Sequence, residues 1–444
     1  MTNSSSPDQL RTVRRATLIG MIGTIIEWYD FMIYATLAAS VFNVLFFPAL
    51  DPVTGTIASL STFAAGFLSR PLGGIVFGHF GDRLGRKTLL VWSLVLMGVA
   101  TALIGLLPTY ASIGVAAPVL LTMLRILQGF ALGGEWSGAT TMIVEHAPEG
   151  RRAFFASFVP FSSGIGFLAA LGTTLGLRAS LSPEAFLAWG WRVPFIASVI
   201  LIGIGMYLRL RVEETRTFQQ VAEAGTVQLP LVRLLRTQWR TVLLTFCMHL
   251  GTTTVAFVVA TFMLSYATLR PGLDSTVMMA ALATATAINL CYAWTVGILA
   301  DRVGRRRVFA LGCVVLMVIA FPMFWLVDTA VFVGIVAGLL LGLAAQYLCN
   351  QVEASYLSEL FPPEVRCTGV NLGYQLCNAI AGGTAPVVAV LLMEWSGGEP
   401  WSISVYLVVL GAISLVAGLL AKETSPRTAA VVVDADPARA AAQA

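Results

Sequence analysis

The chain has 444 residues, of which 57% are apolar and 11% charged, with a formal net charge of +4; its mean hydropathy is +0.83. A water-soluble domain carries about 25% charged residues, so a chain this poor in charge does not have the surface of a soluble globular protein. A net charge this small names no nucleic-acid partner, and what matters is where the charges fall.

The first residues, MTNSSSPDQLRTVRR, are polar and basic, and the apolar run after them is too long for the core of a cleaved signal peptide. Long windows such as Ser93–Ile113 and Val405–Ala421 hold few or no charges, and roughly 20 such residues cross a bilayer. Twelve spans are predicted, the first six near 16–46, 56–80, 88–108, 115–145, 153–177 and 189–210. The second six fall near 240–268, 276–299, 308–327, 330–358, 367–393 and 402–421. The predicted class is an all-α integral membrane protein: a cytoplasmic N-terminus (1–15), a six-helix half (16–211), a polar cytoplasmic linker (212–239), a second six-helix half (240–421) and an alanine-rich tail (422–444). The tail carries Pro426 and Pro437 and is expected to be disordered. The six cysteines show no metal-ligand spacing and read as small packing residues.

Lys and Arg fix the orientation. Arg11, Arg14, Arg15, Arg83, Arg86, Lys87, Arg151, Arg152, Arg302, Arg305, Arg366 and Lys422 all fall on one side of a twelve-span count. The opposite loops offer Arg178 and Arg270, with Arg192 at a span's edge. Both termini are therefore expected in the cytoplasm.

GTIIEWYDFMIY (23–34) places two acids, Glu27 and Asp30, inside the first span. From a start near Ala16 they lie roughly 17–21 Å deep, near mid-bilayer. Three residues apart, they share one helix face and are expected to repel each other. A charge there costs at least about 2.5 kcal/mol, so each acid needs a cavity, a cation or a proton. Reversible protonation of such a carboxyl is what a proton carrier requires. The alternative is a pair of acids locked to an arginine for folding. RILQGFALGGEWSGA (125–139) in span four supplies a counter-charge: Arg125 shares a face with Gln128, and Glu135 follows. Arginine stays charged and clamps a carboxylate in two places, so Arg125 either binds an anionic substrate or neutralises Glu27 or Asp30. Arg70 in span two lies nearer the cytoplasmic end and is assigned with the latch described next.

A repeat ties the halves together. GHFGDRLGRK (78–87) follows span two and GILADRVGRRR (297–307) follows span eight; EHAPEGRR (145–152) ends span four and ELFPPEVR (359–366) ends span ten. The two Asp–Arg loops place Asp82, Arg83, Arg86, Asp301, Arg302 and Arg305 at the cytoplasmic face, with Glu145, Glu359 and Arg366 nearby. These groups are read as a gating latch that pairs charges and caps helix ends; a ligand site is the less favoured alternative, because loop charges are easily solvated.

At these residues the sequence resembles the major facilitator superfamily, whose loop signature G-x-x-x-D-R-x-G-R-[RK] occurs at Gly78–Lys87 and Gly297–Arg306. It is more narrowly similar to the metabolite–proton symporter branch, with permeases for shikimate, dicarboxylates, citrate and compatible solutes. EWYDF (27–31), RPLGGIVFGHFGDRLGRK (70–87), RILQGFALGGEWSGA (125–139), WGWRVPF (189–195) and ELFPPEVRCTG (359–369) carry that match. The resemblance implies two pseudo-symmetric six-helix halves, alternating access, and a cavity lined by helices 1, 4, 7 and 10. It implies proton-coupled uptake of a small hydrophilic organic acid, with Glu27, Asp30 and Glu135 as proton-coupling candidates. Substrate-binding candidates are Arg125, Gln128, Tyr34, His249, Asn350 and Tyr374. Asn289, Gln346, Gln351, Glu353, Gln375 and Asn378 are further polar groups inside spans. Branch members that sense osmotic pressure end in a coiled coil, and this tail lacks its heptads; span five lacks the glycine–proline block typical of antiporters. The alternatives are a proton symporter of a zwitterionic solute such as betaine or proline, and a transport-incompetent sensor. Expected partners are substrate, protons and the lipid bilayer of the inner membrane, with the monomer as the working unit, no cofactor beyond the coupling proton, no metal and no enzyme chemistry.

Overall fold

The computed structural model describes residues 7–84, 86–133, 140–141, 143–145, 147–148, 150–210, 230–362 and 365–425. Its principal elements are helices: α1 (Pro7–Ser40), α2 (Pro52–Leu84), α3 (Arg86–Leu106), α4 (Ala116–Ala131), α5 (Phe158–Ser180) and α6 (Val193–Leu210) in the first half. The second half has α7 (Trp239–Leu269), α8 (Ser275–Val303), α9 (Arg305–Val327), α10 (Phe332–Leu360), α11 (Arg366–Trp395) and α12 (Trp401–Leu420). Among the described residues, α5 to α12 are long and apolar enough to cross a membrane, and α3 and α4 contribute shorter apolar helices. The lipid-facing surface carries bare Leu, Ile, Val and Trp, among them Trp92, Val318, Trp325 and Leu420, as a bilayer solvent allows.

The internal repeat is visible in the packing. α1 packs on α5 as α7 does on α11, α2 on α4 as α8 on α10, and α3 on α6 as α9 on α12. The halves meet where α5 lies against α8 and α2 against α11, two contacts that the same repeat interchanges. Glycine permits the closest approach: a Cβ on Gly129 of α4 would overlap the Gly66 carbonyl oxygen of α2, and one on Gly66 would meet the Arg125 side chain. α7 and α11 are each interrupted by one π-helical turn, at Val258–Phe262 and Asn378–Gly382. Such turns relax the helical ladder and recur at functional sites.

Several predicted boundaries differ: α1 begins at Pro7, inside the segment 1–15 expected as a cytoplasmic N-terminus, and α4 ends at Ala131 where a span to 145 is expected. The first helix stops at Ser40 and is followed by a separate turn, Phe42–Phe46, where a continuous span to 46 was expected. Within the predicted polar linker, Pro230–Thr237 is a helix. Leu234 is fully buried with Val13, Phe155 and Val242, so burial of one apolar face holds this segment on the bundle. Residues 211–229 of the linker and 426–444 of the tail lie outside the described residues.

Candidate functional site

Asp30 and Arg125 are both fully buried, yet they are joined through two neutral groups. Arg125 Nη1 donates to Gln128 Oε1, Gln128 Nε2 donates to Thr101 Oγ1 at 2.9 Å, and the Thr101 hydroxyl donates to Asp30 Oδ2 at 3.3 Å. The single Thr101 proton is shared between Asp30 and the Met97 carbonyl of its own helix, which lies at 2.9 Å. Ser198 on α6, itself donating to the Phe195 carbonyl at 2.8 Å, also faces Asp30. The Arg125 guanidinium lies over the rings of Phe31 (4.2 Å), Tyr34 (4.2 Å) and Phe63 (5.1 Å). Its Nε and Nη2 have no hydrogen-bond partner. Tyr34 is held by Thr62.

Glu27 takes a different direction. Arg70 is buried with its guanidinium 4.4 Å from the Phe31 ring and 4.6 Å from Phe67. Glu27 on α1 and Tyr374 on α11 act on it electrostatically, and Arg125 repels it. The two acids of helix 1 therefore face different arginines, Asp30 toward Arg125 and Glu27 toward Arg70. Residues three apart on a helix diverge by about 60°, enough here to send one acid toward α3, α4 and α6 and the other toward α2 and α11. Arg70, placed with the latch on sequence grounds, sits in the interior between the halves.

A second buried cluster occupies the other half. His249 Nδ1 lies 2.7 Å from Glu353 Oε2, and the Thr252 hydroxyl donates to Glu353 Oε1 at 2.7 Å. The imidazole stacks on Tyr374 at a centroid distance of 4.5 Å, and the Asn378 amide faces its Nε2 at 3.4 Å.

Between the halves lies a cavity of about 60 Å³, measured at the centres of water-sized molecules, room for a few waters. Its polar lining is neutral: Ser163 of α5, Thr286 of α8, and Gln346, Tyr347 and Asn350 of α10, beside Trp28 and Phe257. Trp28 and Phe257 stack across the halves at 6.4 Å with an interplanar angle of 15°. Of the substrate-binding candidates, Asn350 lines this cavity. Arg125, Gln128, Tyr34, His249 and Tyr374 are buried and do not line it.

The charges expected at the cytoplasmic face gather at one end of the bundle. Asp301, at the end of α8, accepts the backbone N–H groups of Ala153 (3.1 Å) and Phe154 (2.9 Å) in the short helix Arg152–Ala156 of the other half. The carboxylate is thus bound as an anion at a helix N-terminus. Arg305 reaches Asp301 at 3.5 Å and Glu359 at 2.9 Å; Arg152 reaches Glu359 at 3.9 Å and Arg366 reaches Glu145 at 3.5 Å. Arg302 is exposed, while Arg305, beyond the helix break, is buried between Asp301 and Glu359. Gly304 makes the break between α8 and α9 at φ 110°. At the opposite end Arg178 of α5 bonds Ser275 of α8 at 3.2 Å. Glu135 and the side chains of Asp82, Arg83 and Arg86 lie outside the described residues.

Thr101, Phe31, Arg152 and Glu353 belong to these clusters and were not among the site residues read from sequence; Glu353 carried a signal as an acid inside an apolar span, Arg152 as the end of EHAPEGRR and Phe31 as the end of EWYDF, and Thr101 carried none. The chain matches the Major Facilitator Superfamily family model over residues 19–386. It is 36% identical over 433 residues to the shikimate transporter of Escherichia coli (strain K12), covering 95% of this chain and 98% of that protein. It is 40% identical over 424 residues to the inner membrane metabolite transport protein YhjE of the same organism, covering 92% and 94%. It is 35% identical over 428 residues to the proline/betaine transporter of Salmonella typhimurium, covering 94% and 84%. In three dimensions it resembles the proton:xylose symporter XylE bound to 6-bromo-6-deoxy-D-glucose, with a TM-score of 0.73 at 17% identity over 93% of this chain and 96% of that one. The twelve-helix, two-half architecture and these relatives agree: the chain belongs to the major facilitator superfamily and is a membrane transporter, not an enzyme.

Proposed function

We propose that the protein is a proton-coupled symporter that takes up a small hydrophilic organic acid, of the shikimate or di- and tricarboxylate kind, across a bacterial inner membrane. It works as a monomer with both termini in the cytoplasm. The main support is the Asp30–Thr101–Gln128–Arg125 chain, in which two fully buried opposite charges do not touch. A buried carboxylate without a directly bonded cation is costly, and binding a proton removes that cost. Asp30 is thus the proton site, with Glu27 beside Arg70 as a second acid. Once Asp30 is neutral, Arg125 has two unengaged nitrogens for a substrate carboxylate, reached when the Phe31 and Tyr34 cover opens. Proton and substrate then favour each other's binding, the reciprocal coupling that symport needs.

A second reading, uptake of a zwitterion such as betaine or proline, draws on the neutral cavity with its Trp28–Phe257 pair, since aromatic faces attract quaternary ammonium groups. Labelled shikimate, α-ketoglutarate, citrate and glycine betaine, offered to proteoliposomes under an inward proton gradient, separate the two. Accumulation of an acid that a protonophore abolishes supports the first reading. Accumulation of glycine betaine alone replaces it with the second, and uptake of either that is indifferent to the gradient overturns proton coupling.

A further inference from the structure

We infer that His249 and Glu353 form a further proton-binding site, in the second half, whose occupancy is read by α11 through Asn378. The inference rests on the proton-coupled reading and deepens it by adding a site outside helix 1. The hydrogen bonds fix which nitrogen of His249 is bare. Asn378 Oδ1 accepts from the Thr253 hydroxyl at 2.9 Å, and its Nδ2 donates to the Tyr374 carbonyl at 3.0 Å. The group facing His249 Nε2 is therefore the amide NH₂, which only donates. Nε2 must accept, so the imidazole proton is on Nδ1, donated to Glu353 at 2.7 Å.

A second proton has one place to go on the ring, Nε2. There it sets donor against donor, and the Asn378 amide must turn or move away. Turning also breaks its bond to the Tyr374 carbonyl, which can only accept. Asn378 opens the π-helical turn Asn378–Gly382, a stretch of α11 that packs on α2 of the other half as well as on α7. A proton on His249 is thereby converted into a displacement at the half–half contact.

The surroundings can carry that charge. Glu353 supplies the counter-ion and Tyr374 a π face at 4.5 Å. The other titratable or charged groups bearing on the pair are Cys349 of α10 and Cys377 of α11, which act on Glu353. Arg70 of α2 and Glu27 of α1 meet it through Tyr374. Thr252 holds the far oxygen of Glu353.

The test needs no substrate. The chain has three histidines, so His79→Gln/His146→Gln protein in lipid nanodiscs leaves His249 as the sole imidazole for ¹⁵N spectroscopy. Nitroxides on non-canonical residues replacing Leu243 of α7 and Ile380 of α11, both lipid-exposed, report the distance between those helices. Expected are a protonated Nδ1 and bare Nε2 in alkaline buffer and, on acidification, a second proton on Nε2 accompanied by a shift in the label distance. Asn378→Ala should keep the titration and lose the distance shift, whereas His249→Gln should lose both. A proton on Nε2 at the start, no second proton on acidification, or a titration that leaves the distance unchanged would each overturn the site. None of these depends on uptake, so a failed accumulation assay with the titration intact counts against the transport reading alone.

Discussion

Phe31 stands between two guanidinium groups, with Arg70 4.4 Å and Arg125 4.2 Å from its ring centroid. Each contact is worth up to about 2 kcal/mol when desolvated, so the ring helps keep both cations buried without giving Arg125 a carboxylate in direct contact. The acid that would neutralise Arg125 is held two hydrogen-bonded groups away, the arrangement on which the proposed proton site rests. Asp30→Asn keeps the size and the bond from Thr101 while removing the titratable group. It is expected to abolish accumulation driven by a pH gradient, flatten the pH profile of uptake, and retain counterflow exchange, which moves no net proton. Glu27→Gln, beside Arg70, is expected to retain accumulation, because Asp30 still titrates. Reconstituted vesicles loaded with the substrate found in the uptake panel measure both. Unchanged accumulation in Asp30→Asn would make this carboxyl structural. Sequence marked Asp30 and Arg125 through the high cost of buried charge. It did not mark Phe31 or Thr101, because an aromatic or a threonine in an apolar span is ordinary.

At the scale of the helix, glycine sets how far apart the charges lie. The α2–α4 contact brings Gly129 against the Gly66 backbone, and Arg125 is one turn from Gly129 on the same helix. Gly129→Ala would force the pair apart, at an overpacking cost of about 1–3 kcal/mol. The variant should show a lower apparent melting temperature in detergent and weakened transport. Unaltered stability would mean that α2 and α4 are farther apart in the working protein. The π-helical turns of α7 and α11 belong to this scale too: neither turn follows from hydropathy, since VVATF and NAIAG read as ordinary helix.

Over the whole molecule, the two halves are bonded at both ends of the α5–α8 pair. At the cytoplasmic end Asp301 binds two backbone amides of the opposite half. Hydrogen bonds to a charged group contribute about 1.5–3 kcal/mol, so Asp301→Asn should shift the population toward an open cytoplasmic side by about tenfold or more. Spin labels across that face would report it as a longer distance, with substrate affinity in equilibrium binding changed by only a few fold. A distance distribution like that of the unmodified protein would remove Asp301 from the latch. The arginine-rich loops make a second prediction: a reporter fused after Thr424 should be active only in the cytoplasm, and periplasmic activity would overturn the orientation.

Hydropathy, loop charge and the repeated Asp–Arg signature were enough to give twelve helices in two halves, because the bilayer makes every spanning segment satisfy its own backbone and bury apolar side chains on all sides. Those are properties of short windows of chain. The separate destinations of Glu27 and Asp30, the Thr101–Gln128 bridge, the pairing of His249 with Glu353 a hundred residues away, and the burial of Arg305 rather than Arg302 had no such local cause. They depend on which helices meet and at what rotation, and that was decided by glycine contacts and the packing of the two halves.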